Sequence, residues 1–332
     1  MHNHVCVTIG DSSQVGEARR AAMAVATHSQ LNDTDSGKLS IIVNELASNI
    51  IKHAEHGEML IGNLRGPHVV DVISLDKGPG IRDVEHAMRD GFSSAGTMGH
   101  GLGAVRRQSS SFEIFTRHGG GGTIIIASIG QPAATHSRFE FGVVCRPVKG
   151  EVDCGDGWAA HHAVNKQQFM VVDGLGHGPD AYTAAAHAMR VFAGHAKEGP
   201  TNLLTLAHGA LRPTRGAALA MADIDFETGV LKYAGVGNIA ASILDDGTSR
   251  SLVSHNGTVG AEMRKVQEFT YPWHPDSLLV MNSDGLTTHW SLDPYPGLRN
   301  KSPLMIAALL YRDFKRTRDD STVLVARQKR AA

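Results

Sequence analysis

Lys38-Leu-Ser-Ile-Ile-Val-Asn-Glu-Leu-Ala-Ser-Asn-Ile-Ile-Lys-His-Ala54 decides how the first half of the chain is read. Leu39, Ile42, Val43, Leu46, Ala47, Ile50, Ile51 and Ala54 recur at i, i+3, i+4, i+7, i+8, i+11, i+12 and i+15, the spacing of one apolar helix face. Along the neighbouring edge Glu45, Asn49 and Lys52 follow one another turn by turn, lining up a carboxylate, a neutral amide oxygen and an ammonium. Taken alone, such an edge is accounted for by a solvated helix face. The segments downstream change its meaning.

An apolar run, Val69–Leu75, ends in Asp76-Lys-Gly-Pro-Gly-Ile81, where an acceptor-only carboxylate meets a backbone kept close by two glycines. Such a carboxylate can accept a hydrogen bond from an exocyclic amine. Further on, Gly99-His-Gly-Leu-Gly103 opens into a helix over 104–110, so glycine amides and a helix N-terminus offer donors to phosphate oxygens. Gly122-Thr123 precedes a last strand. From Val5 to Ile129 the order is strand, two long helices, two strands, Gly-rich loop, helix, Gly-rich loop, helix and two closing strands, an α+β pattern.

Residues 1–130, through Asn44–Ala54, Asp76–Ile81, Asp90-Gly-Phe-Ser-Ser94 and Gly99–Gly103, resemble the GHKL ATPases, and among them the switch and anti-sigma serine kinases of the RsbT/RsbW type. The resemblance implies a Bergerat-type α/β sandwich that binds ATP and Mg²⁺. It gives Glu45 the role of general base, Asn49 that of Mg²⁺ ligand and Asp76 that of adenine reader. Gly78 and Gly80 shape the adenine contact, and Gly99, Gly101, Leu102 and Gly103 wrap the phosphates. Lys52 and Thr123 complete the nucleotide set. The 22 residues between Asp76 and Gly99 leave room for a short lid.

Gly130-Gln-Pro-Ala-Ala-Thr-His-Ser137 then breaks the periodicity, placing a domain boundary near Pro132, with domains expected at 1–132 and 133–332. Two domains suit a length of 332 residues. Beyond the break come β-type runs at Phe139–Cys145, Gln168–Val172, Ala217–Asp223, Leu231–Ala234, Ser277–Met281 and Thr322–Ala326, with helical stretches at 180–196, 200–211 and 302–314.

Phe169-Met-Val-Val-Asp-Gly-Leu-Gly-His-Gly178 puts Asp173 at the end of an apolar strand, and glycines leave its side chain and the neighbouring carbonyls free. Ser277-Leu-Leu-Val-Met-Asn-Ser-Asp-Gly285 repeats the design with Asp284, and Arg318-Asp-Asp-Ser-Thr322 precedes the last strand. Any one such aspartate is an ordinary turn residue. Three of them, with Asp156 in Gly155-Asp-Gly157, point to clustered oxygen ligands for hard cations.

Over about 136–328 these strings, with Tyr233-Ala-Gly-Val-Gly-Asn238, resemble the PPM/PP2C serine/threonine phosphatases, specifically the SpoIIE/RsbX-like branch. The resemblance implies a β-sandwich flanked by helices that holds two Mn²⁺ or Mg²⁺ ions. Asp173 would bridge the ions and serve catalysis, the Gly174 carbonyl would bind one, and Asp284 and Asp319 the other. Asp156 would be an outer-shell acid or metal partner. Asp319 is preferred to Asp320 as ligand. His177 is weighed as a proton donor against a loop-structuring role, and Arg146, Arg190 and Arg215 stay unranked as phosphate grips.

Composition sets the outer limits. Lys plus Arg total 32 against 33 Asp plus Glu, so the net charge of -1 carries no electrostatic footprint for nucleic acid or an anionic membrane. Three cysteines, an odd number without a C-x-x-C pair, argue against a disulfide framework or a cysteine zinc site. No basic-then-apolar leader or spanning apolar stretch is read, and a soluble cytoplasmic protein is expected. The leading functional expectation is one chain that phosphorylates and dephosphorylates a STAS-domain partner in bacterial partner switching. Two alternatives stay open: an ATP-sensing first domain that gates the phosphatase, and a first domain that sequesters a sigma factor or other regulator.

Overall fold

In a computed structural model of the chain the described residues are 3–88, 101–130, 138–245 and 247–329. They fall into two compact units that divide between the strand ending at Gly130 and the strand starting at Phe139.

The N-terminal unit runs β1 (Val5–Ile9), α1 (Ser12–His28), α2 (Asp33–His53), β2 (Gly57–Gly62), β3 (Val69–Asp76), α3 (Val84–Ala87), α4 (Gly101–Gln108), β4 (Ser111–Thr116) and β5 (Thr123–Gly130). Its antiparallel sheet has the order β1-β2-β3-β5-β4. Both long helices start on side-chain caps. Asp11 Oδ1 accepts from the Ser13 amide at 2.8 Å while Gln14 reaches back to the Asp11 amide, and Asn32 Oδ1 accepts from the Asp35 amide at 2.8 Å. The stripe read from the sequence is the buried face of α2. Leu39, Ile42, Val43, Leu46, Ala47 and Ile50 share one core with Val70 and Val72 of β3 and Ile125 and Ala127 of β5. Each large side chain on that face contributes about 1.5–3 kcal/mol by leaving water, which fixes the helix edge bearing Glu45 and Asn49 relative to the sheet.

The C-terminal unit runs β6 (Phe139–Arg146), β7 (Asp156–Ala163), β8 (Lys166–Gly174), α5 (Pro179–Gly194), α6 (Pro200–Leu211), β9 (Ala217–Asp225), β10 (Val230–Val236), β11 (Ala240–Asp245), β12 (Thr248–Ser251), β13 (Phe269–Pro272), β14 (Leu278–Asn282), α7 (Pro303–Phe314) and β15 (Ser321–Gln328). Two five-stranded sheets result, β13-β10-β9-β8-β7 and β12-β11-β14-β15-β6. They face each other through rings: Phe141 of β6 meets Trp158 of β7 and Phe169 of β8 edge-on, with centroids 5.9 and 5.6 Å apart. Helices α5 and α6 cover the outside of the first sheet through Ala184, Ala188, Phe192 and Leu204. Helix α7 lies along β6 and β15 of the second.

Every strand and helix anticipated in this half is present, with ends moved by a few residues. Four strands, β7 and β11–β13, were not anticipated. Strand β7 carries the functional consequence. Its buried first half, Asp-Gly-Trp, is followed by half-buried or exposed Ala159–Ala163 with two histidines, so it has neither an apolar run nor a clean alternation to read.

The closeness of α7 to β6 rests on Gly142, where an added Cβ would run into the backbone of Leu304. Gly142→Ala should therefore cost about 1–3 kcal/mol by overpacking. Gly209→Ala, in a helix position with open space around it, should be neutral or stabilising by up to about 1 kcal/mol. Thermal unfolding of the two variants checks both signs.

Candidate active sites

In the N-terminal unit Asp76, the last residue of β3, is half-buried, and its Oδ1 accepts from the amides of Gly78 at 2.9 Å and Thr123 at 3.1 Å. Those two bonds tie the tip of β3 to the start of β5 and fix the carboxylate's plane. Gly78 is required by packing, since a Cβ there would sit 2.8 Å from that of Ala54 at the end of α2. Gly80 is required twice over: its φ is +77°, and a Cβ would collide with the Arg117 carbonyl. Across the hairpin Thr116 Oγ1 accepts from the Ile81 amide at 2.8 Å and shares a 3.0 Å hydrogen bond with Thr123 Oγ1. Thr116 was not singled out from sequence; it is found only once the β4–β5 register sets it opposite Thr123.

Glu45 and Asn49 are half-buried one turn apart on α2, whereas Lys52 is exposed. Asn49 faces the beginning of α4, its Oδ1 3.7 Å from where a Cβ on Gly101 would be. Gly103 is buried, and the Leu102 side chain belongs to the hydrophobic core, so its main chain is what it can offer a nucleotide. Gly99, His100 and Asp90–Ser94 lie outside the described residues.

In the C-terminal unit the antiparallel pairing of β7 with β8 sets Asp156 directly opposite Asp173. Asp156 is buried, and its Oδ2 accepts from Ser283 Oγ at 2.6 Å; Ser283 Oγ in turn accepts from the Thr322 amide at 3.0 Å. Asp284 follows β14, and its Oδ2 accepts from Asn238 Nδ2 at 2.8 Å. Asp319 and Asp320 stand just before β15 and are used differently. Asp320 is buried and bound at both oxygens, accepting from the amides of Val148 at 2.7 Å and Gly155 at 2.8 Å. Asp319 is turned toward Asp284, whose charge acts on it.

The electrostatics follow from this crowding. Burial pushes Asp173 up to about 9, and the charges of Asp156, Asp284, Asp319 and Asp320 push the same way. Burial likewise lifts Asp156 to about 8, against the opposing hydrogen bond from Ser283. Asp319 is raised by burial and then by Asp284. Asp320 is raised by burial, although its two backbone donors pull it down. Among the described residues no three His, Cys, Asp or Glu side chains close into a ready-made metal cage. An all-oxygen set of facing carboxylates suits hard divalent cations, whose charge offsets the repulsion.

Around this cluster His177 Nδ1 lies 3.2 Å from Glu151 Oε1 on the loop between β6 and β7. Arg215 pairs with Asp180 at 2.5 Å, and Arg190 is exposed on α5. Strand alternation puts Arg146 with Gly142 on the α7 side of β6, away from Cys145 and Asp156.

A family model described as Stage II sporulation protein E (SpoIIE) matches residues 164–329, half of the chain. The chain belongs to the SpoIIE family. Its N-terminal unit matches the histidine kinase-like ATPase domain over residues 10–129. The serine/threonine-protein kinase RsbT of Bacillus subtilis (strain 168) is 33% identical over 116 residues, covering 34% of this chain and 87% of that protein. The phosphoserine phosphatase RsbX of the same organism is 24% identical over 139 residues, covering 42% of this chain and 70% of that protein. A solved structure from work described as "The bacterial stressosome: a modular system that has been adapted to control secondary messenger signaling" is 28% identical. It has a TM-score of 0.55 and covers 57% of this chain and all of that one. The protein thus joins a PP2C-type phosphatase domain to an RsbT-like ATPase domain, and the α+β, two-domain expectation holds.

Within this SpoIIE unit the sequence pointed to the aspartates but gave no role to Ser283, Asn238 or Glu151. Asp320 is their structural counterpart, satisfying two backbone donors of the segment that leads into Asp156. Asp320→Ala should lower stability by about 1–3 kcal/mol for each buried amide left without an acceptor, and Asp320→Asn by less, since one oxygen remains. Asp319→Asn should leave the melting temperature close to wild type. Calorimetry on the three variants tests the division of labour.

Proposed function

We propose that this chain both phosphorylates and dephosphorylates a serine or threonine on one regulatory protein, a STAS-domain partner in a bacterial partner-switching pathway, in the cytoplasm. The reading gives the kinase step to residues 1–132 and the phosphatase step to 133–332. The convergence of Asp156, Asp173, Asp284 and Asp319 at one end of the sandwich, in a chain whose ATPase-like unit also carries Glu45, Asn49 and Asp76, carries it. The names of RsbT and RsbX, an opposed kinase and phosphatase, and the stressosome description of the solved relative support it. Among the described residues no helix is long and apolar enough to cross a membrane.

In the kinase step the Asp76 carboxylate accepts the adenine amino group. The Gly78 and Thr123 amides hold that carboxylate in place, and Thr116 braces Thr123. Asn49 supplies a neutral oxygen to Mg²⁺, and the glycine segment Gly99–Gly103 donates amides to the phosphates. Glu45 takes the proton of the substrate hydroxyl, and Lys52 at the edge of the site lends positive charge.

In the phosphatase step two Mn²⁺ or Mg²⁺ ions, when bound, supply a water nucleophilic near neutral pH and neutralise phosphate charge. Asp173, the Gly174 carbonyl, Asp284 and Asp319 would hold those ions, and Asp156, held by Ser283, would be their partner acid. Gly174 must be glycine, because a Cβ would collide with the Ala181 carbonyl, and this closeness keeps the turn after Asp173 tight. Fusing both steps in one chain raises the effective concentration of each around a shared target.

The test is to mix the protein with STAS-domain proteins of its own cell and follow their phosphate by mass spectrometry, first with ATP and Mg²⁺, then with Mn²⁺. Glu45→Ala should keep ATP binding and lose phosphotransfer; unchanged phosphotransfer refutes the assigned base. Asp76→Asn keeps an acceptor for Gly78 and Thr123 but turns the other oxygen into a donor, so nucleotide affinity should fall about tenfold or more. Asp173→Asn, Asp284→Asn, Asp319→Asn or a chelator should abolish dephosphorylation while ATP binding persists. Full activity in chelator would sink the metal reading.

A further inference from the structure

Scattered exposed apolar side chains are ordinary on a folded protein, and a group of them framing a catalytic mouth is not. Among the described residues of the SpoIIE unit, Val152 is 85% exposed, Leu175 46% and Tyr182 40%. All three stand on the segments that border the carboxylate cluster. Leu175 follows Asp173 by two residues and Val152 precedes Asp156 by four, which at 3.8 Å per step keeps both within roughly 15 Å of those carboxylates. Tyr182 is brought in by its neighbour Ala181, whose carbonyl a Cβ on Gly174, the residue after Asp173, would run into. The two loops are joined, since Glu151 beside Val152 holds His177, and its carboxylate would lie 3.3 Å from a Cβ on Gly178. Positive φ at Gly176 and Gly178 sets the path of the second loop.

A protein that delivers a phosphorylated side chain to this cluster covers about 800 Å² around it, a patch roughly 16 Å in radius. Val152, Leu175 and Tyr182 fall inside that patch, so their exposure ends when substrate binds. Val164 gives the contrast. It is 86% exposed, but it sits in the turn at the far end of the β7–β8 hairpin, about eight residues or ~25 Å from the Asp156–Asp173 pair.

We propose that Val152, Leu175 and Tyr182 form the docking rim of the phosphatase, and that its occupant is a protein segment whose phosphoserine or phosphothreonine is flanked by apolar side chains. The proposal rests on the phosphatase function assigned to this unit. It adds a selection by the sequence around the phosphate, made outside the cluster that does the chemistry.

The experiment uses the full chain with Mn²⁺ and three probes: p-nitrophenyl phosphate, phosphoserine peptides flanked by Leu and Phe, and the same peptides flanked by Gly and Ser. Wild type should show a kcat/KM about tenfold or more higher on the apolar-flanked set. Val152→Ser, Leu175→Ser and Tyr182→Ser combined should bring that set down to the Gly/Ser value while hydrolysis of p-nitrophenyl phosphate stays unchanged. Serine is chosen so that no new charge falls beside the carboxylates. Val152→Ser alone, at the most exposed of the three positions, should show part of the loss without any effect on folding, and Val164→Ser should show none.

No preference in wild type, a preference that survives the triple change, an equal loss in Val164→Ser, or a loss of p-nitrophenyl phosphate hydrolysis in the triple variant each overturns the docking rim. Absence of p-nitrophenyl phosphate hydrolysis in wild type would instead strike the phosphatase assignment beneath it.

Discussion

The phosphatase unit depends on one costly arrangement, five aspartates from four parts of the chain gathered at one end of a β-sandwich. Asp156 and Asp173 are forced together by the β7–β8 register, and Asp284 and Asp319–Asp320 arrive on β14 and β15 of the opposing sheet. Burial first, and then the repulsion of like charges, raises the proton affinity of Asp156 and Asp173. The fold tolerates the crowding because the neighbouring groups are satisfied: Ser283 on Asp156, Asn238 on Asp284, and the Val148 and Gly155 amides on Asp320. The hydrophobic sandwich behind supplies the rigidity.

The kinase-like unit solves a different problem, how to hold one half-buried carboxylate in a fixed place. Asp76 is bound by two amides from separate segments, and Thr116 and Thr123 bind one another and the returning loop. Helix α2 brings Glu45 and Asn49 to the same region because its other face is anchored in the core. The site's polar groups therefore stand on packed elements, and Gly78 and Gly80 let the loop after Asp76 pass close to other backbone and side chains.

Much of this was legible beforehand because the signals were local. The α2 stripe, the apolar strands ending in Asp76 and Asp173, and the glycines that follow each are written in consecutive residues. What escaped was whatever needs a partner far along the chain. Strand β7 has no apolar run of its own and exists because β8 pairs with it. Thr116 gains its role from the β4–β5 register, and Asp320 from amides more than a hundred residues away.

The sequence by itself determined the two families of motifs, the α+β order of each half and the residue types able to do the chemistry, because periodicity and turn chemistry act over a few residues. Tertiary structure alone decided which aspartate faces which, why Asp320 is a clamp while Asp319 faces Asp284, and that Arg146 leaves β6 on the side opposite Cys145. Those outcomes depend on strand register and on which side of a sheet a side chain leaves. A one-residue slip reverses both without altering a single local pattern.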